Sequence, residues 1–428
     1  MKVVKSHKIK LNPTKSQVEY FVKASGVSRF TYNWAIDTWE EMYNKGEKPS
    51  AMTLNKHLNS IKKDKFPWML EVTKTSPQYA IWDLEDSFKK YFKGLKDGSI
   101  QKKKDAYISK RKSKGLPINK PKLINFGKPK FKKKGLQDSF VAVENYQQFR
   151  FKDKKIGIPR LGYVKCHEDL RFEGKVNNVV VKRVANMWFA IVNVEMNLPE
   201  PLVNENQVTV GLDFGIKTLI TLSDEKTFEN PKALRKNLKC LKRLQRSLSR
   251  KQKGSSNRKK QQMKVARKHY RVSCIRSNAL HQATSYITNN YDKIVIEDLN
   301  VSGMIKNRKL SQAISDVDFY ELRRQLDYKS KWKGKEVVVA DRFFPSSKTC
   351  SCCGYVKPVL KLDVRTYKCE SCGHEMDRDL NAAINLANYS PTEKIPECEA
   401  CGELNPSSVK KSRSSKKQEI ILINKLKT

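Results

Sequence analysis

The sequence predicts a multidomain α+β protein, with a β domain carrying a helical insertion in its first half and an α/β sheet domain in its second. Three observations predict this. The chain has 428 residues, enough for two or three domains. Up to about residue 200, alternating β segments flank a long helical block. After about residue 205, apolar strands alternate with helices, which is the pattern of an α/β sheet.

Residues 3–11 alternate charged and apolar positions and read as a strand. Asn12-Pro13-Thr14 breaks it, and Thr14 or Ser16 is placed to cap a helix. From 15 to 98 the apolar residues recur near helical spacing, first Phe21, Val22, Phe30, Trp34, Ile36, Trp39 and Met42, then Tyr79, Ile81, Trp82, Leu84, Phe88, Tyr91 and Phe92. Residues 101–135 hold fourteen Lys or Arg against one Asp, and read as a basic loop that orders on a polyanion, or else as an inert solvated linker. Between 140 and 200 the chain turns β-rich, with alternating strands at 176–183 and 188–194 around a turn at Ala185-Asn186. This segment is expected to pair with the N-terminal strand, which makes the helical block an insertion.

A composition break falls at Pro199-Glu200-Pro201. Beyond it, QVTVGLDFGIKTLITLSD reads as two apolar strands joined by a Gly-flanked turn. Residues 232–276 carry eighteen Lys or Arg and no acid, with a stripe of Leu234, Leu238, Leu241, Leu244 and Leu248, so one face packs and the other is cationic. Gly254-Ser255-Ser256-Asn257 divides this stretch into two basic helices. A helix through Leu280 and Tyr286, a strand at 293–297, a helix around 316–332 and a strand at 336–340 follow. The polar, lysine-rich tail, 391–428, reads as disordered.

Hydrophobic residues make up 38% and aromatics 9%, which supports real cores. Lys and Arg number 87 against 44 Asp and Glu, a formal net charge of +43. So much positive charge repels itself unless a polyanion neutralises it, and nucleic acid is the obvious one. A merely soluble basic surface is the bland alternative, disfavoured because such surfaces mix both signs. No run of 18 apolar residues exists to span a membrane, and MKVVKSHKIKLNPTK has no apolar signal core. A cytoplasmic, nucleoid-associated protein is therefore expected.

The ten cysteines are not spread as a disulfide framework. Cys350, Cys353, Cys369 and Cys372 give C-x2-C-x15-C-x2-C, the spacing of a tetrahedral zinc site. Four thiolates leave no open position, so the zinc would be structural. Cys352 reads as a spare thiol, and Cys398 with Cys401 as coincidence or a weak half-site.

Phosphodiester hydrolysis needs divalent metal, and magnesium prefers a few convergent oxygen ligands. Asp213 ends an apolar strand, Glu297 ends another, and Asp379 lies at an apparent helix start in Asp377-Arg378-Asp379-Leu380-Asn381. Each acid alone has a dull reading, since strand-end acids and helix N-terminal Asp are common. Together they make acid-on-strand, acid-on-strand, acid-on-helix in a chain poor in acids. Gly211 and Gly215 are read as leaving room for a phosphate backbone.

These residues resemble a known family. GLDFGIKTL resembles the first RuvC motif, IVIEDLNVSGM the second, and DRFFPSSKTCSCCG with YKCESCGHEMDRDLNAAINLA a zinc knuckle running into the third. Their order and joining resemble TnpB, the transposon-encoded relative of type V CRISPR nucleases, and PTKSQ, SRFTYNWAI and SDVDFYELRRQLDYKSKW extend the likeness over nearly the whole chain. The resemblance implies an RNase H-like (RuvC) nuclease domain at 205–349 and 373–390 with a zinc-binding insert at 350–372. It further implies a β-barrel wedge domain at 1–13 and 127–204, and a helical recognition domain with its basic loop at 14–126. It implies an RNA-guided endonuclease that binds a noncoding guide RNA, recognises a short motif beside its target and cuts double-stranded DNA with two Mg²⁺ held by Asp213, Glu297 and Asp379. Asp379 is chosen over Asp377 because it precedes x-Asn-Ala-Ala. Lys74 and Gln78, in Thr-Lys-Thr-Ser-Pro-Gln, match positions that contact the target-adjacent motif. The basic stretch 102–126 ahead of Pro129-Lys130-Phe131 departs from the family pattern. A guided DNA-binding regulator without cleavage, a compact CRISPR-associated type V effector and a strand-joining transposase stay open beside this reading. A monomer is favoured.

Overall fold

The computed structural model describes residues 1–118, 123, 126–135, 138–143, 149–199, 207–361 and 363–390. The tail with Cys398 and Cys401 lies outside them, as does the break at Glu200-Pro201. The chain divides into two compact units, Met1–Pro201 with Lys236–Cys274, and Leu202–Arg235 with Ile275–Thr428.

The first unit opens with β1 (Lys2–Asn12), whose alternate residues His7, Ile9 and Leu11 are buried. Thr14, not Ser16, then closes a capping box with Gln17 and starts α1 (Lys15–Asn44). A second box, Ser50 with Thr53, starts α2 (Ala51–Lys65). A 3-10 turn (Pro67–Glu71) leads into α3 (Thr75–Lys96). α1 and α3 bury facing stripes, with Trp39 stacked on Phe88 at 4.6 Å between ring centres.

α4 (Ser99–Lys112) takes the first third of the 101–135 segment expected to be a basic loop. The reason is local. Between Ser99 and Lys114 there is no Gly or Pro, lysine is a good helix former, and Gln101 and Asp105 hydrogen bond across one turn. α4 buries no residue, so it displays its charge all round.

β2 (Ser139–Val143), β3 (Arg150–Lys152), β4 (Lys155–Ile158), β5 (Gly162–Cys166), β6 (Lys175–Val184) and β7 (Met187–Asn197) follow. Ala185 and Asn186 both take positive φ, giving the tight two-residue turn between β6 and β7 that matches strand twist. The sheet order is β2-β6-β7-β1-β5-β4-β3, with β1 between β7 and β5. The helical block thus interrupts one sheet, as the sequence implies. A closed barrel was expected, but among the described residues the sheet is open, with β2 and β3 as edges. Hydroxyls take the place of a neighbouring strand at β2. Thr75 Oγ1 donates to the Val141 carbonyl at 2.8 Å and Thr73 Oγ1 to that of Ala142 at 3.3 Å. Phe21, Phe140 and Trp188 meet at 5.1–5.9 Å in the core between the helices and the sheet.

α5 (Ala233–Ser249) and α6 (Ser256–Asn290) are the basic helices. α6 absorbs the separate helix expected around Leu280, because nothing between Ser256 and Asn290 breaks it. Within the first unit, Arg258 joins them by donating to the Leu248 and Lys251 carbonyls, both at 2.8 Å.

The second unit is built on a five-stranded sheet, β10-β9-β8-β11-β12, of β8 (Thr209–Phe214), β9 (Thr218–Leu222), β10 (Thr227–Glu229), β11 (Lys293–Ile296) and β12 (Glu336–Val339). β8, β11 and β12 run parallel, while β9 and β10 return antiparallel. Apolar runs such as Ile294, Val295 and Ile296 are fully buried, as strands covered on both faces require. α7 (Val301–Met304), α8 (Ser311–Val317), α9 (Phe319–Lys333), β13 (Thr366–Lys368), β14 (Glu375–Asp377) and α10 (Arg378–Ala387) complete it. Leu322 and Leu326 of α9 share the core with Leu280 and Ile287 of α6. Buried Asp316 caps α5, accepting from the Leu234 amide at 2.9 Å and the Arg235 amide at 3.3 Å.

Candidate active site

Parallel register sets the first two acids side by side. Leu212 of β8 pairs with Ile296 of β11, so Asp213 and Glu297 follow at the same, carboxyl-terminal end of neighbouring strands. Open α/β sheets present their chemistry at that end. The third acid comes from α10, which lies against β8. A Cβ on Gly211 would sit 2.0 Å from the Ala383 carbonyl oxygen and 2.4 Å from the Ala387 nitrogen, so only glycine permits this approach. Gly211 therefore makes room for a helix, not for a phosphate. At Gly215 the space belongs to the Thr218 carbonyl, 2.6 Å away.

Within Asp377-Arg378-Asp379 the two acids have different work. Asp377 caps α10, its Oδ1 accepting from the amides of Asp379 at 2.9 Å and Leu380 at 3.1 Å. That commits Asp377 Oδ1 to the helix, although the Asp377 charge also raises the Asp213 carboxyl, less than Asp379 does. Asp379 stands in the first turn and presses on the same electrostatic site as the strand acids.

Burial, then Glu297 and Asp379, push the Asp213 carboxyl well above the usual carboxylate range, with Arg378 opposing. Burial also raises Glu297, opposed by the Ser346 hydroxyl, which donates to its Oε1 at 2.7 Å, and by Arg378. Glu297 and Asp379 both act on the Asp213 carboxyl and Arg378 opposes them, so the carboxyl-terminal end of the sheet is a negative patch with one cation beside it. The acids are held apart more than the cysteines are. Among the described residues, the four thiols form the one group whose ligand atoms all lie within 4.8 Å of one another.

Each cysteine pair sits on a knuckle. Gly354 and Gly373, directly after the second cysteine of each pair, take φ of +77° and +70°. The Sγ atoms of Cys350 and Cys372 are 3.7 Å apart and those of Cys353 and Cys369 3.6 Å. Four sulfurs at Zn–S distances of about 2.3 Å in a tetrahedron are separated by roughly 3.8 Å, so the set fits zinc. Backbone N–H groups of Cys372 and Ser371 bring the Cys369 thiol down to about 6, favouring thiolate. Cys352 points to solvent, and Tyr367 is fully buried beneath the knuckles. α10 ties the two sites together. The side-chain Nδ2 groups of Asn381 and Asn385 each donate to the Thr349 carbonyl at 2.7 Å, and Asn381 Oδ1 accepts from the Ser351 backbone amide at 3.0 Å.

The comparisons with known proteins agree on a family. Residues 191–308 match a family described as "Probable transposase", and 319–386 one described as "Cas12f1-like, TNB domain". The chain is 30% identical over 420 residues to "Putative RNA-guided DNA endonuclease Rv2885c" of Mycobacterium tuberculosis, covering 92% of this chain and 88% of that protein. The chain belongs to the TnpB family. Another relative, "Putative RNA-guided DNA endonuclease InsQ" of Escherichia coli, is 29% identical across 90% of this chain and 92% of its own length. A Streptomyces pristinaespiralis protein, "Putative RNA-guided DNA endonuclease", is 39% identical over 55% of this chain and 57% of its length. Among solved structures, "Cryo-EM structure of CasPhi-2 (Cas12j) bound to crRNA and Phosphorothioate-DNA" covers 90% of this chain and 91% of that one, at 12% identity and a TM-score of 0.40. A likeness that loose carries no argument about the site.

Residues 1–48 of this TnpB-family chain also match a family described as "Helix-turn-helix domain". The structure there is a strand and a helix unbroken from Lys15 to Asn44. Lys74 stands exposed where α3 begins, at a cavity of about 570 Å³ shared with Arg150, Arg160 and Tyr163. Gln78 lies one turn further along α3, half-buried, and does not line that cavity. Sequence reasoning missed Ser346, Asn381 and Asn385 as supports of the acids and knuckles. The DRFFPSSKTC and DRDLNAAINLA runs contain them, but nothing in their spacing names a partner.

Proposed function

We propose that this chain is an RNA-guided DNA endonuclease that hydrolyses both strands of its target with one magnesium-dependent site of Asp213, Glu297 and Asp379. The observation that carries the reading is geometric: Asp213 and Glu297 follow paired residues at the same end of two parallel strands, and the helix that carries Asp379 packs on Gly211 of the first. Membership of the TnpB family supports the guide RNA and DNA as partners. The mixed sheet order supports an RNase H-like RuvC domain at 205–349 and 373–390, with a structural zinc insert at 350–372. The interrupted N-terminal sheet supports a wedge domain at 1–13 and 127–204 and a recognition domain at 14–126.

A pair of Mg²⁺ ions bound to the three acids would activate water and stabilise the leaving oxygen. The rest falls to the chain. Ser346 fixes the Glu297 carboxylate through its hydrogen bond, and the Asp377 cap sets the helix start that carries Asp379. Arg378 tempers the repulsion among the acids. Lys74 and Gln78 read the motif beside the target, and the cations of 102–135 and 232–276 hold phosphates. No helix among the described residues is long and apolar enough to cross a membrane. Work on chromosomal DNA would place the protein in the cytoplasm at the nucleoid, acting as a monomer.

The test is purification with whatever RNA accompanies the protein, sequencing of that RNA, and incubation with Mg²⁺ and a plasmid matching it. Linearised plasmid is the expected product. Binding without cleavage would leave only a guided regulator.

A further inference from the structure

A cavity of about 300 Å³ opens beside Glu297, within the second unit. Its wall includes Phe214, the residue after Asp213, and the first turn of α9, where Phe319, Tyr320 and Arg323 stand. Arg342, from the segment after β12, closes it. Three features of this wall are unlike an ordinary surface dent.

First, Tyr320 keeps 75% of its surface exposed, although Phe319 beside it is buried. A ring with a free face at the rim of a cavity is able to stack on a base. Second, Tyr320 and Arg323 are three apart on α9, so ring and guanidinium stand on one side of the helix. Third, the two arginines share one counter-ion. Arg323 Nη1 lies 3.3 Å from Asp298 Oδ1, and Arg342 pairs with the other oxygen of the same carboxylate. Asp298 holds both guanidinium groups in place but neutralises one charge of two. The cavity therefore offers an aromatic face, an oriented pair of guanidinium groups, and a border with Glu297, whose carboxylate lies on the same wall.

We propose that this cavity seats one nucleotide of the strand being cut, with the Tyr320 ring stacked on its base and Arg323 and Arg342 on the adjoining phosphate. The proposal deepens the nuclease reading and rests on it. The chemistry fits nucleic acid in single-stranded form. A base has a free face for an aromatic ring only when it leaves the duplex stack, and planar guanidinium groups suit phosphate oxygens. The size fits a single nucleotide rather than a duplex. Stacking one base here would set the register of the chain past Asp213 and Glu297, and so choose which phosphate meets the acids.

The test uses the full protein with its copurified RNA and a target carrying 2-aminopurine near the cut site. Three variants are compared with the parent, Tyr320→Ala, Tyr320→Phe and, as an exposed aromatic outside the cavity, Phe343→Ala. Guide-dependent target binding should be unchanged in all three. Cleavage should slow roughly tenfold in Tyr320→Ala, the weight of one base–aromatic stack, with loss of 2-aminopurine quenching and a scatter of cut positions. Tyr320→Phe and Phe343→Ala should cut at the parent rate and positions. A Tyr320→Ala protein that cuts and quenches as the parent does overturns the subsite. Equal slowing in Tyr320→Phe also overturns it, because the hydroxyl rather than the ring face would then matter. If the parent binds its target without cutting, the nuclease reading fails. Quenching that still depends on Tyr320 would then uphold the subsite alone.

Discussion

The second unit holds two metal-binding candidates, and they are held differently. The four thiols lie on two short knuckles, so each pair is fixed by its own turn and only one contact between knuckles is needed. The three carboxylates come from two strands and a helix spread over 166 positions from Asp213 to Asp379. Only strand register and the close packing of α10 on Gly211 bring them near one another. A site of the first kind is rigid, closed and suited to structure. The second kind gathers like charges in a half-buried place, which costs stability and leaves room for water and a phosphate.

The largest expected effect is loss of the first site. Cys369→Ser, or stripping metal with a strong chelator, should unfold the knuckles and release α10, because Asn381 and Asn385 bond to the Thr349 and Ser351 backbone at their base. Thermal unfolding and bound zinc measured together check this, and a Cys369→Ser protein of parent stability with zinc still bound would break the contrast. Next comes Gly211→Ala. A methyl group 2.0 Å from the Ala383 oxygen must move the helix or the strand, so a loss of about 1–3 kcal/mol in stability is expected, with a larger fall in cleavage than in target binding. Denaturant midpoints and single-turnover rates measure the two effects separately.

How much was legible follows from the same difference. Cysteine spacing is local, and C-x2-C pairs announce themselves. Asp213 and Glu297 were visible as acids closing apolar strands, because a buried parallel strand leaves few places for a charge. Gly211 was misread. A glycine reports that something comes close, not whether it is helix or phosphate. The segment containing α4 was misread because a run of lysines hides good helix propensity behind its charge. The open edge at β2 depends on hydroxyls of Thr73 and Thr75 that sit far away in sequence. The shared pairing of Asp298 with Arg323 and Arg342 likewise joins three distant segments.

The smallest effect lies away from both sites. Lys329 is buried between α9 and α6, donating to the His281 carbonyl and the Thr284 and Ser285 hydroxyls at 2.7–3.1 Å, with no ion pair to an acid among the described residues. Burial first, then Lys333, bring its ammonium down to about 8. A lysine lowered on folding binds fewer protons in the native state. Its cost is therefore fully present below that value and is relieved as pH rises from about 8 towards the ordinary lysine range near 10.4. Lys329→Met should remove this part of the rise. Denaturant midpoints at about pH 7.5 and about pH 9.5 check it, and an unchanged slope would count against the burial argument.

Asp379, with Asp213 and Glu297, is the residue proposed to hold the metal, while its neighbour Asp377 caps the helix. Cleavage of a guide-matched target by Asp379→Ala and Asp377→Ala, measured side by side with target binding, tests it most directly. Asp379→Ala should bind and not cut, whereas Asp377→Ala should still cut after losing about 1 kcal/mol of helix capping. An Asp379→Ala protein that cleaves at the parent rate would contradict the account.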